Sequence, residues 1–205
     1  MGMKKNDAAQ SQYSKKHSLA YISRLTKVEK SSIYRASNVL LAPSLRANFQ
    51  TYLEDVVLDR LVRAQACLKL AKRLTKKHDG KPPDEESLRC AVGRAYYSAH
   101  HLIRAIVLHE LHYDPDGHQE SIEVFDKLLS NKKFRDRSGL TRRTADKIAE
   151  AKDNRSVADY SPYDISRQPN TESWILITGN DWQKAAGFNI RLAERVLRGA
   201  YDMVG

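Results

Sequence analysis

From residue 45 to residue 78 apolar side chains return every three or four positions: Leu45, Phe49, Tyr52, Leu53, Val56, Val57, Leu61, Ala64, Leu68 and Ala71. That rhythm is the 3.6-residue turn of an α-helix with one side facing a core. Lys76, Lys77 and His78 suit the negative end of the helix dipole, and Gly80 marks the stop. Period-two alternation, the mark of a half-buried strand, is nearly absent from the whole chain. A short apolar run from Trp174 to Ile177 is the one extended candidate.

The helical signal recurs along the chain. Pro82, Pro83 and Asp84 open a second helix, with Glu85 and Glu86 in its first turn, and it runs to about Leu111. The sequence Tyr-Asp-Pro-Asp-Gly at 113–117 stops it as a turn. A third helix is predicted at about 119–130, through Ile122, Val124, Phe125, Leu128 and Leu129, and a fourth at 140–158. The last spans about 181–203, with Asn180 and Gln183 as a capping box. These elements predict an all-α fold, an antiparallel bundle of four to five helices over residues 45–205.

Residues 1–44 form a basic extension. The first 16 are polar and predict disorder. Leu19, Ile22, Leu25 and Val28, then Ile33, Val39, Leu40 and Leu41, fit one or two short helices. With Lys4, Lys5, Lys15, Lys16, Arg24, Lys27, Lys30 and Arg35, this extension reads as a nucleic-acid arm or as a segment that docks on the bundle.

The chain has 205 residues, 41 % hydrophobic and 29 % charged, which is enough apolar material for one core. Its net charge of +10 favours anionic partners, nucleic acid first and a membrane surface second. Two cysteines, Cys67 and Cys90, suggest neither a disulfide framework nor a zinc site, and are expected as small buried thiols. No run has the length of a membrane span and the N-terminus lacks an apolar signal segment, so a cytoplasmic protein that does not enter the membrane is expected.

The second helix carries the chemistry. Leu88, Val92, Ala95, Ala99, Leu102 and Ile106 form its core stripe. Arg94, Tyr97 and His101 fall nearly opposite, with Cys90, Ala105 and Leu108 on the same side. A row flanked by small and apolar residues points to a contact surface such as a second subunit. Arg94 and His101 are seven residues apart, two turns, and point the same way. Neutral His101 can accept the proton of a ribose 2′-hydroxyl, and Arg94 can hold the phosphate and the charge developing on it, a reaction that needs no metal.

Other candidates are weaker. Tyr96 and Tyr97 can stack on bases, but packing at the core edge and in a subunit contact is the favoured reading. The stretch with Lys132, Lys133, Arg135, Arg137, Arg142 and Arg143 grips phosphates non-specifically or is a solvated loop. His109, His112 and His118 have no carboxylate or cysteine completing a metal set, and no metal or other cofactor is expected. Asp159 and Tyr160 fix a helix end or position Arg155 beside the outward row.

Three marks in order then bear on family. The segment Gly93-Arg94-Ala95-Tyr96-Tyr97 running on to His101 resembles the second helix of the HEPN family (higher eukaryotes and prokaryotes nucleotide-binding). Gly117-His118 before Ile122 and Phe125 resembles the family's histidine after the interhelical turn, and Arg155 with Ala158-Asp159-Tyr160 its Arg…Ala-Asp-Tyr signature. The resemblance covers roughly residues 45–204. It implies a helical bundle, generally a homodimer, whose ribonuclease members use an arginine and a histidine separated by four to six residues, with the sites of two subunits meeting. Arg94 and His101 fit that spacing, and so does His100; Tyr97, Arg155, Asp159 and Tyr160 would support them. The function expected is an RNA-directed, metal-independent endoribonuclease of toxin or defence type. The alternative is a non-catalytic dimerisation or nucleotide- or nucleic-acid-binding module, or one paired with a nucleotidyltransferase-type antitoxin.

Overall fold

The computed structural model describes residues 43–115, 117–160 and 179–204. Within them the chain is all-helical: α1 (Pro43–Leu74), α2 (Glu85–Leu111), α3 (His118–Ser130), α4 (Lys132–Ser138), α5 (Arg143–Tyr160) and α6 (Gly179–Val204). No named strand occurs among the described residues, and none of their helices is long and apolar enough to cross a membrane. Nearly all of the N-terminal extension and the Trp174–Ile177 run lie outside the described residues, as does the Tyr160 side chain.

α2 is the hub. It packs against α1, α3, α5 and α6, and α6 in turn touches α1, α4 and α5. Its composition permits this: Ala91, Gly93, Ala95, Ser98, Ala99 and Ala105 are small, so neighbouring helices approach on several sides, and all six are buried. α1 covers one side with Leu53, Val57, Leu61, Ala64, Leu68 and Ala71, spaced as the sequence predicts. α6 contributes Trp182, Ala186, Leu192, Ala193, Val196 and Ala200.

The ends of the helices explain where expectation and structure part. Asp84 is an N-cap rather than a helical residue: its side chain accepts from the Ser87 N–H at 2.7 Å, so α2 starts at Glu85. His112 closes α2 in the left-handed conformation, φ 50°, donating to the Leu108 carbonyl. α1 stops at Leu74 and not at residue 78, because Asp79 and Gly80 take positive φ (51° and 77°) and His78 and Lys81 exchange backbone hydrogen bonds at 3.0 Å. The basic stretch holds the extra helix α4: Asn131 caps it through the Lys133 N–H at 2.9 Å, and buried Phe134 meets Phe125 edge-on. That brings the described helices to six, beyond the four to five expected. α6 begins at Gly179, which places Asn180 inside the first turn.

Two buried asparagines stitch the bundle. Asn189 Nδ2 donates to the carbonyl of Val92 at 3.2 Å and faces that of Ala151 at 3.5 Å, while its Oδ1 faces Asn154 Nδ2 at 3.4 Å. Arg89 donates twice to the Ala158 carbonyl, at 3.0 and 2.6 Å, and lies 5.6 Å over the Trp182 ring. One guanidinium thus joins α2, the last turns of α5 and the start of α6.

Gly199 of α6 sits where no side chain fits. A Cβ there would lie 2.7 Å from both the Ser138 carbonyl oxygen and Leu140 Cγ. Gly199→Ala is expected to cost about 1–3 kcal/mol through overpacking, although alanine is the better helix former by about 1 kcal/mol. A urea midpoint at or above that of wild type would show that the α4–α6 contact yields freely.

Candidate functional site

Between Leu88 and Leu108 most residues of α2 are buried. The positions that keep some exposure are Arg89, Cys90, Arg94, Tyr97, His101 and Arg104. Except for Arg89 they follow a four–three–four–three spacing, which is one face of a helix. The outward row therefore exists but is narrower than expected: Ala105 and Leu108, placed on it by periodicity, are fully buried. Neighbouring helices close over that end of the face. Cys90, expected as a buried thiol, is exposed, and Cys67 is half-buried.

The strip is a floor between two walls. On the α1 side stand Arg60, Arg63 and Cys67; on the other stand His118, Lys152, Arg155 and Asp159. Arg94 is exposed and forms no hydrogen bond or ion pair among the described residues. Its charge is felt at Cys67, whose thiol burial pushes up while Arg94 pulls it down.

His101 is half-buried, and burial lowers its pKa to about 4, helped by the charges of Arg60, Arg104 and Arg63 and opposed by Asp59. It is therefore neutral near pH 7, with a free lone pair. An anion bound beside those arginines would offset their charge and make His101 a stronger base.

Behind the strip lies a nest of rings. His100 is 5 % exposed, its Nε2 has no hydrogen-bond partner among the described residues, and burial followed by the charges of His118 and Arg104 lowers its pKa to about 3. Its ring lies 4.2 Å from that of His118 and stacks on Tyr96 at 5.9 Å. Tyr96 is wholly in the core, and burial pushes its phenol up, so it stays protonated; its hydroxyl meets His118 Nδ1 at 2.7 Å. Burial lowers the pKa of His118 as well, with Arg155, Lys152 and Arg104 adding to the effect.

Tyr97 is half-buried. Arg155 lies 5.2 Å over its ring and donates to its hydroxyl at 2.9 Å. Asp159 holds Arg155 at 2.6 Å, and its carboxylate sits 3.4 Å from the Cβ position of Gly93. The residues of the Arg…Ala-Asp pattern are thus brought to the edge of the strip.

The basic stretch is not brought there. Arg135 caps α3 by donating to the carbonyls of Leu129 and Ser130, at 2.6 and 3.0 Å. Arg137 pairs with Glu110 at the far end of α2. Lys132, Lys133, Arg142 and Arg143 are exposed.

Sequence reasoning missed one element. Asp114, buried in the turn after α2, accepts from Arg104 Nε and Nη2 at 3.1 and 2.6 Å and pairs with Arg60 of α1. Arg104 was within reach of inspection, since it continues the strip three residues after His101. Its link to Arg60 spans distant segments and leaves no local trace. Comparison of the chain with protein-family models, curated proteins and solved structures gives no match.

Two outcomes follow. Asp114→Ala leaves two partly buried guanidinium groups without their carboxylate and is expected to cost about 3 kcal/mol in urea unfolding; a loss below about 1 kcal/mol would mean that water replaces the carboxylate. For His100, the unfolded chain takes up a proton near pH 6.5 and the folded chain only near 3. The unfolded state binds more protons between those values, so stability falls as pH drops through that window. Wild type should lose stability from pH 7 to pH 5, and His100→Phe should flatten the slope. Parallel slopes would remove His100 as a source of the pH dependence.

Proposed function

We propose that the chain binds RNA along the α2 strip and cleaves it as a metal-independent endoribonuclease of HEPN type, with Arg94 on the phosphate and His101 taking the 2′-hydroxyl proton. The observation that carries this reading is a neutral histidine and an arginine without a partner among the described residues, together on the open strip of a mostly buried helix. A buried helix that keeps such a face presents it to something, and the arginines along it suit an anion. Attack of the 2′-oxygen on phosphorus would break the bond to the 5′-oxygen and leave a 2′,3′-cyclic phosphate. Arg94 would stabilise the charge on the non-bridging oxygens, and the released 5′-oxygen takes up a proton.

Arg94 and His101 start about 10.5 Å apart along the helix axis. Arg94 must therefore extend along the strip to share a phosphate with His101. Arg104 stands nearer His101 but is already held by Asp114.

A second reading is a binding module of the same fold without cleavage. It is favoured by Ala95, which follows the strip arginine and lies wholly in the core, where HEPN members with activity usually carry a polar residue, and by the low pKa of His101. Such a module would act as a dimerisation unit or beside a nucleotidyltransferase-type partner.

The deciding experiment incubates the protein with a structured RNA pool in EDTA, beside Arg94→Ala and His101→Ala. Cleavage to cyclic phosphate ends by wild type, reduced at least about a hundredfold in His101→Ala, supports the nuclease. RNA retention without cleavage by any of the three supports the binding module.

A further inference from the structure

The outer side of α1 is not polar. Leu58 is 59 % exposed, Val62 56 % and Leu70 39 %, with exposed Ala66 between them. They form a row at four-residue intervals, one of the ridges by which helices pack on each other. Isolated exposed apolar residues are ordinary, but a continuous ridge marks a contact surface. Near Leu58 the ridge runs into a groove of about 440 Å³ lined by Leu53, Leu61, Leu108 and Val204, so the apolar surface continues past α1.

The charges beside the ridge identify what covers it. Asp55 stands towards the start of α1 and Arg73 at its end; both are exposed, and neither has a hydrogen-bond or ion-pair partner among the described residues. Asp59, bonded to Arg63 of its own helix at 2.7 Å, and exposed Lys69 stand closer in. Measured along the axis from Ala64, Asp55 and Arg73 lie nine residues either side, Leu58 and Leu70 six, Asp59 and Lys69 five, and Val62 and Ala66 two. A two-fold axis at the level of Ala64 would lay this face antiparallel on its own copy. Leucine would then come to the level of leucine, and acid to the level of base, at both ends. Such self-complementarity is what an isologous contact requires.

We infer that two copies of this chain pair through an antiparallel α1–α1 contact centred on Val62 and Ala66. Asp55 of each copy faces Arg73 of the other. This contact lies on the outer face of α1, whereas Arg60, Arg63 and Cys67 wall the strip on its other flank, so pairing leaves Arg94 and His101 open. It differs from a homodimer closed over the strip itself, and it does not depend on the RNA reading. A single helix pair is a small interface, so its dissociation constant is on the order of micromolar.

The test is sedimentation velocity of the full chain from about 1 to 100 µM, on wild type, Asp55→Arg, Arg73→Asp, and an equimolar mixture of the two variants. Both substitutions are on exposed positions and leave the core untouched. Wild type should show a monomer–dimer equilibrium, and each variant alone should weaken it at least about tenfold, because both symmetric contacts then join like charges. The mixture should recover the wild-type constant, because the heterodimer restores opposite charges at both contacts. A wild type that stays monomeric, variants that dimerise as wild type does, or a mixture that fails to recover would each overturn the inference.

Discussion

The described helices are arranged around one, α2, that packs against four others. α2 has no free hemisphere, so most of its side chains are small or apolar, and its buried polar atoms Ser98 Oγ and His100 Nε2, which have no hydrogen-bond partner among the described residues, are the exceptions. The run from Ala91 to Ala105 meets the first demand through alanine, glycine and serine. Apart from Arg89, the larger polar residues between Leu88 and Leu108 lie in one strip and in the ring nest beside it. Burial then sets their chemistry: it keeps His100, His101 and His118 neutral and the Tyr96 phenol protonated. A site with neutral histidines walled by arginines is the electrostatic outcome of that packing.

Asp114 is the counterweight. It pairs with both Arg60 and Arg104, whose positive charges help lower the pKa of His101. By bridging them it holds the turn after α2 against α1 and spends the donors of Arg104 inside the protein. Arg94, by contrast, is exposed and has no hydrogen-bond or ion-pair partner among the described residues. The two arginines share a helix face and differ in availability, and that difference gives the strip a direction.

Amphipathic elements were legible in the sequence. The core positions of α1 from Leu53 to Ala71, and the α2 stripe from Leu88 to Ile106, follow the predicted spacing. The burial of α2 on more than one side was not legible, since periodicity ranks residues by hydrophobicity and is silent on alanine and serine. The exposed Arg94 and half-buried His101 were readable from heptad spacing. The Arg60–Asp114 pair and the Asn154–Asn189 contact join segments 54 and 35 residues apart, and no local pattern encodes them. In the cationic stretch at 131–143, Arg135 serves a helix end and Arg137 an ion pair, while Lys132, Lys133, Arg142 and Arg143 are exposed.

The double hydrogen bond from Arg89 to Ala158, with Trp182 under the same guanidinium, bears on how the chain tolerates change. It fastens the end of α5 and the beginning of α6 to one point on the first turns of α2. Both helices are thereby fastened to the part of α2 that precedes Arg94 and His101, so a change at Arg89 would reach three helices at once while leaving the side chains of the strip in place.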